Sequence, residues 1–304
     1  MKKIIIIIFL TLLFSTLRAI DKNAGTKGYL FLKLPVSPQI AGMGTTGEML
    51  HYTPLTLLHH PASFNPIRGN SIAFSNTMWL VDTNMYNIAW RNVKFNHAYG
   101  LGFTYFDYGK FDKRLENGTL IGEYYPMDMR FVGNYTRQIT PSLNIGGNIN
   151  FLYQKIDTSS STAISTDIGA SYHLPFQNAI DIAFKNIGTS SKMDNEKTKM
   201  PIVIDFGITS FSGVVVKIKE DKTFIMPITY KLIYMEDHDH LINQIGCQIP
   251  IYDTLFLRTG YKFNYNEENF SAGFGLYYKT MSIDYAFINN KIDDIHLIGI
   301  GWEF

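Results

Sequence analysis

One short segment of the chain concentrates side chains that can bind a metal. Residues 236–240 read Glu-Asp-His-Asp-His and combine two imidazoles with three carboxylates, the donor types that divalent metals accept. The segment falls between two predicted strands, where a solvated surface loop explains the same composition. The sequence does not indicate surrounding residues that would hold these side chains in a metal-binding geometry. We therefore favour the surface loop and predict no metal and no cofactor.

The other histidines do not indicate hydrolytic chemistry. None lies beside a serine in a motif that marks a nucleophile elbow or a catalytic triad; they are His51, His59, His60, His97, His173 and His296. We therefore predict no catalytic residue and no enzyme activity. Cys247 is the one cysteine of the sequence, so no intrachain disulfide can form.

Composition narrows the class of protein further. The 304 residues are 46% apolar and 14% aromatic but only 17% charged, a balance typical of membrane barrels. A net charge of +1 argues against binding to nucleic acid. A secreted soluble β-sandwich has a similar composition, so the pattern along the chain must decide between the two.

The first 19 residues have the organisation of a signal peptide. Lys2 and Lys3 precede an apolar run over 4–14, and small and polar residues lead to a cleavage site after Ala19. The run is shorter than the roughly 20 residues that a membrane-spanning helix needs. The sequence predicts an exported protein that enters a membrane, if at all, as strands.

Residues 20–70 do not follow a strand pattern. They contain five prolines, at positions 35, 38, 54, 61 and 66, which is too many for a hydrogen-bonded ladder. Apolar clusters at 30–34 and 55–58 nevertheless require something to pack against. We expect this segment to plug or line the lumen of a barrel.

From residue 71 to 304 apolar and polar residues alternate with a period of two. In the last strand Ile298, Ile300 and Trp302 share one face, and glycines at 299 and 301 occupy the other. An apolar face opposed by polar residues and glycine is the lipid-out, lumen-in pattern of an outer-membrane barrel. It favours a transmembrane β-barrel over a soluble sandwich, and it predicts an integral protein of the outer membrane.

About fourteen antiparallel strands are predicted, an even number that allows closure with both ends of the wall on one side. Short connections at 139–141, 174–177, 251–254 and 279–280 largely alternate with longer, more charged ones at 108–127, 188–200 and 289–294. The connection at 212–222 is too long for its side of the barrel and breaks this alternation. Either a hairpin extends there or the predicted number of strands is wrong by one. The strands are predicted near 71–79, 84–92, 97–107, 128–138, 142–156, 163–173, 178–187, 201–211, 223–235, 241–250, 255–265, 269–278, 281–288 and 295–304.

Several motifs together resemble one family. The stretch 28–44, GYLFLKLPVSPQIAGMG, is similar to the N-terminal motif of the PorV/PorQ group of FadL-like barrels, and His60-Pro61-Ala62 stands where the group has Asn-Pro-Ala. Four further segments resemble PorQ more than PorV: residues 105–112, 135–139, 185–189 and 284–287. The resemblance covers nearly all of the mature chain.

This resemblance implies a role that the residue pattern alone does not. PorQ-like barrels belong to the type IX secretion system, in the attachment complex with a sortase, a PorV-like shuttle and the surface protein PorZ. The resemblance therefore implies a non-enzymatic barrel that holds a PorZ-like surface protein and other attachment-complex components. The alternative is a FadL-like transporter of hydrophobic solutes, in which the N-terminal segment gates a pocket.

Overall fold

The protein is a closed, antiparallel β-barrel. The structure, a computed structural model, describes residues 25–50, 53–64, 69–194, 196–219, 222–238, 240–251 and 254–304, and of these it describes only the backbone at 213–219 and 222–224. Within these residues fourteen strands form the wall, which confirms the predicted fold class and strand number. The predicted signal peptide, residues 1–19, lies outside the described residues.

The wall strands are joined by consecutive antiparallel pairings, and the first wall strand pairs with the last. Two hairpins, β4–β5 and β10–β11, stand apart from the wall. The strands are β1 (Gly69–Met78), β2 (Asn84–Lys94), β3 (His97–Asp107), β4 (Phe111–Arg114), β5 (Leu120–Tyr124), β6 (Met127–Thr140), β7 (Leu143–Ile156), β8 (Ser159–Leu174), β9 (Asn178–Ser190), β10 (Lys192–Met193), β11 (Glu196–Lys197), β12 (Val203–Lys219), β13 (Lys222–Met235), β14 (Ile242–Ile251), β15 (Leu255–Phe263), β16 (Glu268–Tyr278), β17 (Met281–Asn290) and β18 (Ile295–Glu303).

Closure occurs between β1 and β18. Their register pairs Ser71 with Glu303 and continues to Met78 and His296. Asn70 and Phe304 extend the ladder by exchanging two backbone hydrogen bonds, of 2.9 and 2.8 Å. The wall therefore has no free edge along this seam, as a sheet in lipid requires.

Side chains alternate across the wall. In β7 the inward residues Asn144, Asn148 and Asn150 are buried, while the outward residues Ile149 and Phe151 are 66% and 46% exposed. An exposed apolar face with a buried polar face is the reverse of a soluble sheet and is typical of a barrel in lipid. Among the described residues, no helix has the length and apolarity needed to cross a membrane.

The two ends of the barrel differ. One end, here the terminal end, carries the start of β1, the end of β18 and connections of two or three residues. The opposite end, here the loop end, carries the longer connections, among them 108–126 and 191–202. This difference matches the short periplasmic turns and long surface loops of outer-membrane barrels.

The exceptional connection at 212–222 is a strand extension, and the strand count does not slip. β12 and β13 pair with each other as far as Lys219 and Lys222, beyond the point where their outer neighbours stop. Pairing of β13 with β14 ends at Ile228, because the preceding residue, Pro227, has no N–H to donate. A two-stranded hairpin therefore projects from the terminal end.

The two longest loop-end connections contain strands that the sequence pattern did not reveal. Predicted as loops, 108–127 and 188–200 contain the β4–β5 and β10–β11 hairpins. Their sequences carry charges on both faces, which hides the period of two. Lys113 of β4 forms an ion pair with Asp157 in the neighbouring β7–β8 turn, so the larger hairpin is tied to the rim.

The closed wall predicts heat-modifiable migration. Unheated protein should run faster than boiled protein in detergent gel electrophoresis, because a ladder without edges resists opening by detergent. Equal migration of the two samples, together with solubility in the absence of detergent, would contradict a membrane barrel.

Candidate functional site: the filled lumen

The N-terminal part of the chain, residues 25–50 and 53–64, lies inside the wall and is called the lumen segment here. It begins at the loop end, where Gly28 N–H donates to Lys199 at 3.1 Å and the Tyr29 hydroxyl donates to Ser161 at 2.8 Å. It contains a 3-10 helix (Leu30–Lys33), the short helix α1 (Pro38–Ala41) and a second 3-10 helix (Pro54–Leu58).

An apolar cluster fixes one side of the lumen segment. Leu55, Leu57 and Leu58 are buried against inward residues of β2, β3 and β6. Cβ atoms at Gly100 and Gly102 would lie 2.7 and 2.8 Å from the methyl groups of Leu57 and Leu58, so the glycines of β3 make room for them. The cluster also includes Tyr29, Phe31, Val36, Met85, Phe106, Leu152 and Met200.

Charged groups of the wall contact the same segment at its other side. Arg258 of β15 forms a 2.7 Å ion pair with Asp284 of β17, and the carboxylate also accepts a 2.8 Å hydrogen bond from the Gln39 amide. All three side chains are buried. A buried ion pair needs such additional hydrogen bonds to offset its desolvation, so Gln39 completes this group and anchors α1 to the wall.

A second ionic group lies near mid-depth. Glu48 of the lumen segment pairs with Lys231 of β13, whose ammonium is also 3.9 Å from Asp205 of β12. Lys185 of β9 lies 2.6 Å from the same Asp205 carboxylate. With Asp181 of β9 beside them, three buried carboxyl groups meet the buried Lys231 and the partly exposed Lys185.

His60 places its ring against this group. Its Nε2 is 3.7 Å from Asp181, and the ligand atoms of His60, Asp181 and Asp205 lie within 4.8 Å of one another, close enough to suggest a metal site. However, Nδ1 accepts a 3.2 Å hydrogen bond from the Ala62 N–H, which leaves the hydrogen of the neutral ring on Nε2. A metal needs a lone pair on Nε2, so this tautomer does not suit metal binding and instead places an N–H on the side of Asp181.

Both histidines of the lumen segment are neutral when it is docked. Complete burial lowers the pKa of His60 to about 4 and lowers that of His59 well below its usual value. Nε2 of His59 accepts 3.2 Å hydrogen bonds from the N–H groups of Val36 and Ser37, a role that only the neutral ring can fill. Below about pH 6.5 the free segment therefore binds protons on these two rings that the docked segment excludes.

Backbone packs directly on backbone where the wall has glycine. A Cβ on Gly260 of β15 would overlap the backbone of Met43 and Gly44, and one on Gly146 of β7 would overlap Pro61. Gly44 itself has a φ of +69°, in the left-handed region that glycine adopts readily. These inward glycines therefore determine where the lumen segment touches the wall.

Two side chains of the 236–240 cluster form ion pairs with the lumen segment. Glu236 and Asp237 form ion pairs of 2.6 Å with Lys27 and Lys33 of the lumen segment. His240 contacts the carbonyl of Asn264 at 2.6 Å, and Asp239 lies outside the described residues. The acidic loop thus holds the start of the lumen segment at the loop end, a pairing that the sequence could have indicated only through opposite charge.

Comparison with known proteins identifies the fold. Neither a protein-family model nor a curated relative matches the sequence. The toluene transporter TbuX of Ralstonia pickettii aligns with a TM-score of 0.63 and 12% identity over 92% of this chain and 99% of that chain. The Pseudomonas putida toluene transporter TodX aligns with a TM-score of 0.57 and 12% identity over 87% of this chain and 96% of that chain. A Pseudomonas aeruginosa FadL homologue aligns with a TM-score of 0.55 and 9% identity over 89% of this chain and 99% of that chain. The chain is therefore similar in fold to FadL-like outer-membrane barrels.

The histidines predict that docking of the lumen segment weakens in acid. Since the pKa of His60 is about 4 when docked and about 6.5 when free, the free segment binds more protons between these values. Docking should lose up to about 3 kcal/mol as the pH falls from 6.5 to 4. The free energy of docking at each pH is measured by hydrogen exchange of the amides of residues 53–63, corrected for intrinsic exchange rates.

His60→Asn should reduce this pH dependence to the part that His59 contributes, whereas His296→Asn, which removes a histidine from the outer face, should leave it unchanged. A profile that is the same for all three proteins would show that His60 does not carry the effect.

The close backbone contact predicts a severe effect of one methyl group. Gly260→Ala should displace the lumen segment or prevent folding, because the new Cβ overlaps the backbone at Gly44. Gly122→Ala in the β4–β5 hairpin is the matched control, since no atom lies within 4 Å of its Cβ position. Proteolysis of the lumen segment and the heat-modifiable fraction report the result; equal behaviour of both variants would contradict the docking geometry.

Proposed function

We propose that this chain is a non-enzymatic barrel component of the type IX protein secretion system. In this role it resides in the outer membrane and holds a PorZ-like surface protein, with other attachment-complex components, at its loop end. The motif resemblance to the PorV/PorQ group supports the role, and the FadL-like fold agrees with membership of that wider class of barrels.

The filled lumen is the observation that carries this proposal. The lumen segment is held by a buried hydrogen bond from Gln39 to Asp284 and by ion pairs with Lys231 and Asp237. The cavity beside residues 31–36 has a volume of about 60 Å³, which is small against the roughly 150 Å³ cavity that accepts benzene. A cavity of about 250 Å³ at the terminal end shares no lining residue with it. An interior that the lumen segment largely fills, with two cavities that share no lining residue, suits a scaffold better than a conduit for hydrophobic molecules.

The loop end offers a surface for a protein partner. The β4–β5 hairpin exposes Phe111, Leu120 and Ile121 among charged side chains, and Lys113 ties it to the neighbouring turn. Exposed apolar side chains on a projecting, tethered element are typical of contact surfaces. We propose this hairpin as the principal contact with the surface protein.

Transport of a hydrophobic solute is the second candidate. The structural neighbours TbuX and TodX are described as toluene transporters, and the apolar cluster around Leu57 gives part of the lumen a suitable lining. For this chain to transport, the lumen segment must leave its ion pairs. Uptake of a hydrophobic solute that depends on the chain would favour this candidate.

Two matched deletions separate the candidates. Removal of residues 111–124 takes away the β4–β5 hairpin and leaves a short connection, whereas removal of residues 213–226 shortens the projecting hairpin at the opposite end by the same length. The first deletion should release the PorZ-like protein into the medium and lower cargo secretion, because its contact is lost. The second should retain that protein on the cell.

Cell-bound surface protein, secreted cargo and solute uptake are measured in both strains, after heat-modifiable migration has shown that each barrel is folded. Equal amounts of cell-bound protein in all strains, with uptake of a hydrophobic solute reduced, would refute the attachment role and support transport.

A further inference from the structure

A basic row crosses the outer face of the wall near the terminal end. The register places Lys94 of β2 opposite His97 of β3, and His97 opposite Arg137 of β6. The side chains of Lys94 and Arg137 are exposed. No Asp or Glu occurs in residues 83–106 or 129–156, so neither cation has a carboxylate on these strands.

Tyrosines form the next row toward the middle of the wall. Tyr99 and Tyr135 are paired across β3 and β6 with ring centroids 5.4 Å apart, and both are exposed on the outer face. The Tyr135 hydroxyl is 2.8 Å from Nδ1 of His97, which links the two rows. Tyrosine at this position is typical of the interface between headgroups and acyl chains.

Beyond the tyrosines the outer face has a groove. Gly133 lies between Leu101 and Ile149 in the register, and no atom lies within 4 Å of its Cβ position. Gly133 lies in an open apolar groove of about 570 Å³ on the outer wall, lined by residues of β1, β2, β3, β6 and β7. Phe103 and Phe131, with ring centroids 4.6 Å apart, border it on the side toward the loop end.

We infer that these rows form a binding site for one anionic phospholipid of the leaflet at the terminal end. An acyl chain occupies the groove over Gly133, and the phosphate meets Arg137 and Lys94. Clustered cations at the membrane surface attract anionic headgroups. Arg137 is four residues from Gly133, or about 13 Å along the strand, which is about 10 Å of depth at the usual tilt of barrel strands and within the roughly 15 Å half-thickness of a bilayer core. The charge, the interface residues and the groove thus lie at the depths that one lipid molecule requires.

Binding of phosphatidylglycerol to the purified full-length barrel tests the inference. Native mass spectrometry in detergent should show tighter binding of phosphatidylglycerol than of phosphatidylcholine. The double variant Lys94→Gln/Arg137→Gln should weaken phosphatidylglycerol binding by about fivefold for each charge removed. Gly133→Leu should weaken it with both charges present, because the leucine fills the groove.

Two control variants match these changes. Lys279→Gln/Lys291→Gln removes two exposed lysines elsewhere, and Ala272→Leu enlarges a small outward residue on β16. Both should bind phosphatidylglycerol as the wild type does, and all variants are first shown to migrate as folded barrels. If either the double charge variant or Gly133→Leu binds as tightly as the wild type, the inference is wrong.

A photo-crosslinking residue in place of Leu101 identifies the occupant in native outer membranes. Adducts with phospholipid support the site. Adducts mainly with another protein would show that a protein partner covers this face, and would overturn the inference.

Discussion

The requirement that every backbone N–H and C=O be paired within the hydrocarbon core governs this structure. Each unpaired group would cost several kcal/mol in lipid, where no water can replace a lost partner. The pairing of β1 with β18, extended by Asn70 and Phe304, meets that requirement by removing the edges of the sheet. Closure then fixes the alternation of side chains, since one face of each strand must meet lipid and the other the lumen.

A closed wall with polar inward residues creates a second demand. Buried Arg258, Lys231 and Asp205 need partners in a space that water would otherwise fill. The lumen segment supplies some of them through Gln39 and Glu48, and wall residues supply the rest. Inward glycines such as Gly260 let its backbone approach the strands closely. The lumen segment and the inner face of the wall are therefore complementary, which explains why so irregular a segment is held in one position.

The wall could be predicted from the sequence because its signal is local. Alternation in strands such as β7 is visible within ten residues, and the count of fourteen follows from repeating it. The ionic groups could not be predicted, because Glu48 and Lys231 meet only once the register of many strands is set. The same is true of His60, Asp181 and Asp205, which no motif connects. The acidic segment 236–240 stands out in the sequence, but its role could not be predicted, since carboxylates and histidines serve both as metal ligands and as ion-pair partners.

Electrical conductance of the purified protein in a planar lipid bilayer tests the central claim, a sealed barrel, most directly. The wild type should insert without a steady conductance, because the lumen segment fills the interior. A variant without residues 25–64, shown to be heat-modifiable, should open a permanent pore. Steady conductance of the wild type equal to that of this deletion variant would contradict a lumen sealed by its N-terminal segment.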